Sequence, residues 1–167
     1  MNNFKTSYIL TKNEMQFLFN RLGEIIPFIP TQYFLNKHLL GDEVLEESEE
    51  SLFHKNFARK VAGEIILEPA VDLLVRSLLR ANDLWIVECA DVEEPVYVLK
   101  SRNMYLHIQH YPHMSDAFRV APYPNKETLF EEFSEITVTD VKHISKDGVQ
   151  QSLGVDTNTF WIEDGEE

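Results

Sequence analysis

A chain of 167 residues with 44% hydrophobic content fills one hydrophobic core and is short for two, which predicts a single domain. Its 28 acidic against 15 basic side chains give a formal charge of −13, so the chain as a whole repels nucleic acid and anionic membranes, and the excess reads either as a solvated surface or as a mask for a basic partner. One cysteine, Cys89, excludes an internal disulfide framework and a Cys-rich zinc site; no run approaches the roughly 18 to 20 apolar residues of a membrane span, and residues 1–6 lack a signal-peptide pattern, which together predict a cytoplasmic protein without membrane insertion.

Residues 4–10 read as a strand, followed by Thr11-Lys12-Asn13-Glu14. Thr11 can cap a helix start there and Glu14 can reach back to complete a capping box. The pattern predicts a helix from Lys12 in which Met15, Leu18, Phe19 and Leu22 share one face, ending at Gly23. Such a stripe is core packing rather than a ligand site. Pro27 and Pro30 bracket an apolar stretch at 25–29 that reads as extended. Six carboxylates lie between Asp42 and Glu50, without the ligand pattern of a calcium loop, and predict an exposed loop or the solvated start of a helix. Phe53, Phe57, Val61 and Ile65 fall at successive fours and predict a second amphipathic helix. Glu68-Pro69 opens a third, with Val71, Leu74, Val75 and Leu78 on one face and Arg76 and Arg80 near its end at Asn82-Asp83.

From Leu84 the period changes to that of strands. Residues 84–89, 96–101 and 104–111 predict an antiparallel meander joined by an acidic turn with Pro95 and by Arg102-Asn103. In the last of these, Met104, Leu106 and Ile108 point to the core, while Tyr105, His107, Gln109 and Tyr111 form a semi-polar face. Residues 117–121 read as a further strand, Asn125 as the cap of a short helix carrying Leu129, Phe130 and Phe133, and residues 136–144 as one more strand. The predicted fold class is therefore α+β, an antiparallel β-meander sheet packed against amphipathic helices. One domain spans residues 1–144, and an acidic, partly mobile tail follows at 145–167. In that tail Phe160-Trp161-Ile162 either docks as an edge strand, which is the expectation, or serves as a linear motif for a partner.

The chain has no phosphate loop, nucleophile elbow, His-Glu-x-x-His helix or dinucleotide fingerprint, and its six glycines are scattered, so no catalytic residue, metal site or cofactor is assigned. His107, His110 and His113 are the one candidate ligand set. A strand sends the first two to opposite faces and Pro112 forbids the helix that would gather them, so surface or cross-strand roles are expected. Cys89, beside Glu88 and Asp91, sits where a thiol pKa is raised and reads as a buried structural cysteine. The amphipathic aromatic character of Tyr105, His107, Gln109 and Tyr111 makes them the candidate partner-binding face, unless the protein's own helices cover it.

The order strand, capped helix, helices and meander, with Leu10-Thr11-Lys12-Asn13-Glu14 opening the helix and Leu18 and Leu22 continuing its face, resembles the cytosolic accessory proteins of type VII secretion. The resemblance spans roughly residues 8–133. It is to EspG-type chaperones, which open with a strand leading into a Leu-Thr-x-x-Glu-like helix start, and to EsaE-type proteins of Gram-positive bacteria, which are similar in size and partner a secreted nuclease toxin. EspG-type chains are longer and built as two related halves. This chain has room for little more than one half, and no family binding residue is carried over. The resemblance implies an EspG-half-like fold and a non-enzymatic, cofactor-free chaperone or adaptor that binds a secreted protein or toxin and keeps it soluble for export. The alternative is an immunity protein whose acids at 46–50 occupy the basic groove of a toxin.

Overall fold

The computed structural model describes residues 7–21, 41–90, 92–102, 104–114, 116–145 and 150–153, the last four by backbone alone. The stop at Gly23, the apolar stretch at 25–29 and Phe160-Trp161-Ile162 lie outside them. Strand β1 (Tyr8–Thr11) runs directly into helix α1 (Lys12–Arg21). The capping box forms as its residue types require. The Thr11 N–H donates to Glu14 Oε1 at 2.9 Å and the Glu14 N–H donates to Thr11 Oγ1 at 3.0 Å, so two otherwise orphaned amides of the first turn are satisfied. Met15, Leu18 and Phe19 are buried beneath it.

The acidic segment is a helix, α2 (Asp42–His54), and it ends earlier than the four-residue spacing of Phe53, Phe57, Val61 and Ile65 predicts. The stop is Asn56, at φ 61°. The Phe57 N–H reaches the Leu52 carbonyl at 2.9 Å and the Asn56 N–H the Phe53 carbonyl at 3.0 Å, the paired closure of a Schellman end with Asn in the left-handed position that Gly usually takes. The chain then forms a separate hairpin, β2 (Ala58–Val61) and β3 (Glu64–Leu67), joined by Ala62 and Gly63. Both turn residues have positive φ, 50° and 82°, the primed turn that matches strand twist and that disfavours a Cβ. Ala62→Asn should therefore stabilise the protein by about 0.5 kcal/mol, since Asn tolerates the left-handed region better than Ala; an unchanged or lower thermal midpoint would contradict the strain at Ala62.

Helix α3 (Pro69–Leu79) starts with Pro at its first position, where the missing N–H costs nothing, and buries Val71, Leu74, Val75 and Leu78. Each such side chain contributes about 2 kcal/mol when fully withdrawn from water. The meander follows as β4 (Asp83–Cys89), β5 (Val96–Ser101), β6 (Met104–His110) and β7 (Ala117–Tyr123), then α4 (Lys126–Glu131), β8 (Val138–Ser145) and β9 (Gln150–Leu153). The fold is α+β. Its main sheet has seven strands in the order β1-β7-β6-β5-β4-β8-β9, every pair antiparallel. β1 extends one edge of the meander, and the β8–β9 pair extends the other. The sheet thus continues to Leu153, past the boundary expected at 144, because β9 pairs through its backbone with β8.

Both faces of this sheet are covered. On one, Leu84, Tyr97, Leu99, Leu106, Ile108, Phe118, Val120 and Ile144 pack with α1, α3 and Leu52 of α2. On the other, Trp85, Val87, Val98, Tyr105, Ala121, Tyr123 and Val141 pack with Leu129 and Phe133. Two-sided burial explains the nearly unbroken apolar run of β5, Val96-Tyr97-Val98-Leu99, which alternation alone does not.

Candidate functional site

The four residues expected to form a partner-binding face share one side of β6 and its exit, but they divide into two environments. Tyr105 and His107 are 7% and 3% exposed, beneath α4 and the turn after it. Gln109 and Tyr111 stay half-buried at the far end. The correction to a single semi-polar face is physical: α4 is short, yet Leu129 and Phe133 are bulky enough to close over the middle of β6. A partner meeting the folded domain reaches Gln109 and Tyr111 and not the rings of Tyr105 and His107.

His107 packs edge-on against Phe133 and Tyr123, with ring centroids 5.6 Å and 6.4 Å away. Its Nδ1 is buried without a hydrogen-bond partner among the described residues. Burial holds the imidazole at a pKa of about 4, opposed by Glu132 and aided by Arg119. Beside it the Tyr123 hydroxyl donates to Glu132 at 2.6 Å. Burial first, and that bond second, push the phenol above its ordinary range.

Strand geometry separates the histidines as the period of two dictates. His110 turns to the opposite side from His107, its ring 4.5 Å from that of Phe118 and its Nε2 3.6 Å from Glu94 Oε2. His113 is exposed in the turn, edge-on to Tyr111 at 5.2 Å. Among the described residues no group of three His, Cys, Asp or Glu is placed to hold a metal ion. Cys89 is 7% exposed, and burial pushes its thiol up.

Two features gain a geometry that the sequence pattern did not show, a buried ion pair that it missed and the acidic run that it did single out. The first is a charged knot at Glu14, which is 1% exposed. Besides its capping bond it receives Lys55 Nζ at 2.6 Å and the Ser51 hydroxyl at 3.0 Å, while Lys55 also donates to the Ile9 carbonyl at 3.0 Å. One carboxylate thereby ties β1, α1 and α2. The second is the stripe on α2. Asp42, Glu46 and Glu50 follow at intervals of four beside Glu43 and Glu47, and all five are exposed, while Ser48 and Leu52 face inward. Like charges four apart cost a helix a few tenths of a kcal/mol per pair. Among the described residues Glu49, beside the stripe, meets a cation, Lys60 at 3.8 Å. The result is a negative ridge about 12 Å long.

No family model and no curated protein matches the chain. Among the described residues no helix is long and apolar enough to cross a membrane.

Proposed function

We propose that the protein is a non-catalytic accessory factor of type VII secretion, which binds a secreted protein or toxin in the cytoplasm and keeps it soluble until the membrane machinery takes it. The observation that carries this reading is the strand that passes through the Thr11–Glu14 capping box into α1 ahead of an antiparallel sheet, the unit on which the resemblance to EspG-type and EsaE-type proteins rests. Gln109 and Tyr111 supply the reachable part of the aromatic face, and no cofactor enters the role.

A second reading has its own observation. The α2 ridge suits the basic groove of a toxin, so the protein is alternatively an immunity protein that inhibits by occupying that groove. The two readings separate by assay. The tagged full chain is used to capture partners from its native cytoplasm, and each captured protein is co-expressed with it. A chaperone raises the soluble, exportable fraction of a stoichiometric partner severalfold without abolishing its activity. An inhibitor abolishes the activity. Capture of no stoichiometric partner sinks both. Reversing Glu46, Glu47 and Glu50 to Lys should weaken the inhibitor at least tenfold and make its association rate much less sensitive to salt; inhibition of unchanged strength would remove the ridge from the mechanism.

A further inference from the structure

The sheet face that carries Trp85, Tyr105 and Tyr123 is closed by α4 and the turn after it. The opposite face packs with side chains of α1, α2 and α3. On this one, among the described residues, the cluster takes only Leu129, Phe130 and Phe133 from outside the sheet. The N–H groups of Leu129, Glu132, Phe133, Ser134 and Ile136 all donate to carbonyls between Asn125 and Phe133. The segment thus closes these backbone bonds on itself, and lifting it off the sheet breaks none of them. What opening gives up includes the burial of those three apolar side chains and the bond from the Tyr123 hydroxyl to Glu132. The larger cluster under α1 and α3 stays whole, which is the condition for a segment to open below the free energy of global unfolding.

His107 lies under this segment and couples it to protons. Phe133 stands edge-on to the imidazole at 5.6 Å, and Nδ1 is buried without a hydrogen-bond partner among the described residues, an unfavourable state that access to water relieves. The charged groups around the ring come from three elements. Glu132, at the end of α4, favours the imidazolium and Arg119 of β7 opposes it. Lys100 of β5 shares the face, its Nζ 5.8 Å over the Tyr105 ring. Tyr123 presents a neutral phenol. Burial outweighs Glu132 and holds the covered imidazole at about 4, whereas an uncovered ring returns toward the ordinary 6.5. The open form therefore accepts a proton that the closed form refuses, and opening becomes easier as pH falls through 6.5.

From this arrangement we infer that α4 and the turn after it form a proton-coupled cover, which opens as a unit from an intact sheet and uncovers Tyr105, His107 and Tyr123. The cover decides when that part of the aromatic strip is reachable, and the inference is independent of the proposed secretion role. Amide hydrogen exchange of the isotope-labelled full chain, read by NMR as protection factors at pH 7 and pH 5, tests it. At both pH values the Leu129 and Phe133 amides should be at least about tenfold less protected than those of β5, at the centre of the sheet. Between pH 7 and pH 5 their protection should fall about twentyfold, the open form remaining a small minority. His107→Leu should abolish that fall, and His107→Gln, which also cannot titrate, serves as the second variant should leucine disturb the packing. Equal protection of α4 and β5 would mean that the segment opens only with global unfolding. A fall that persists in the variants would place the proton elsewhere, and no fall in the parent would mean fraying that leaves His107 covered. Any of these three overturns the cover.

Discussion

Replacing Lys55 by methionine is expected to lower the unfolding free energy by about 3 kcal/mol, because it leaves the Glu14 carboxylate charged with no other cation bonded to it among the described residues. Glu14 is 1% exposed and Lys55 keeps 29% of its side-chain surface, so the loss belongs near the lower end of the range for breaking a buried pair. Methionine preserves the aliphatic packing of the stem, which confines the loss to the charge and to the bond that Lys55 gives the Ile9 carbonyl. A companion variant isolates the cause. Glu14→Gln keeps one oxygen to accept from the Thr11 N–H, as a capping box allows, and puts an amide N–H beside Ser51 that can donate to its hydroxyl, while removing the charge. The double variant should regain about 2 kcal/mol of the loss. Denaturant unfolding of the four chains measures this directly. A Lys55→Met loss below about 1 kcal/mol, or no recovery in the double variant, would show that the knot is a solvated surface pair.

That knot also marks where reading the sequence stops. Thr11 and Glu14 are three residues apart, so their mutual capping is a local fact of the chain and was legible. Lys55 is 41 residues from Glu14 and meets it only because α2 packs on α1. The same division runs through the fold. Strands β4 to β7 and helix α3 carry their own periodicity, and their core positions follow from it. The Phe53 to Ile65 spacing misled because two short stop signals outrank a four-residue period: Asn56 in a left-handed conformation, and the Ala62-Gly63 turn. β9, Gln150–Leu153, holds three polar residues and one leucine and pairs with β8, too short and too polar for a side-chain pattern to announce it. Tyr105 and His107 read as semi-polar because their residue types are amphipathic, whereas their burial is decided by Leu129 and Phe133 more than twenty residues later in the chain.

His107 supplies the second large effect. Its folded pKa of about 4 lies below the ordinary 6.5, so the folded protein refuses a proton that the unfolded chain accepts. Above pH 6.5 both states are neutral at this residue and nothing is lost. As pH falls from 6.5 toward 4, each unit removes up to about 1.4 kcal/mol, and roughly 3 kcal/mol has gone by the point where the folded imidazole itself protonates. Tyr123 faces the ring without offering charge in this range, because burial raises its phenol. Glu132 faces it too and softens the effect, whereas Arg119 reinforces it. His107→Leu removes the titrating group and with it an Nδ1 that finds no partner among the described residues, so the variant should equal or exceed the parent in stability at pH 7. Unfolding free energies of both chains, measured from pH 7.5 to 4, should diverge steadily below 6.5, with the variant the more stable by about 3 kcal/mol at the acid end. Carboxylates titrate in both chains and cancel in the difference. Parallel curves would mean that α4 opens readily enough to let His107 protonate in the folded state, and amide exchange at Leu129 and Phe133 would then be fast at neutral pH.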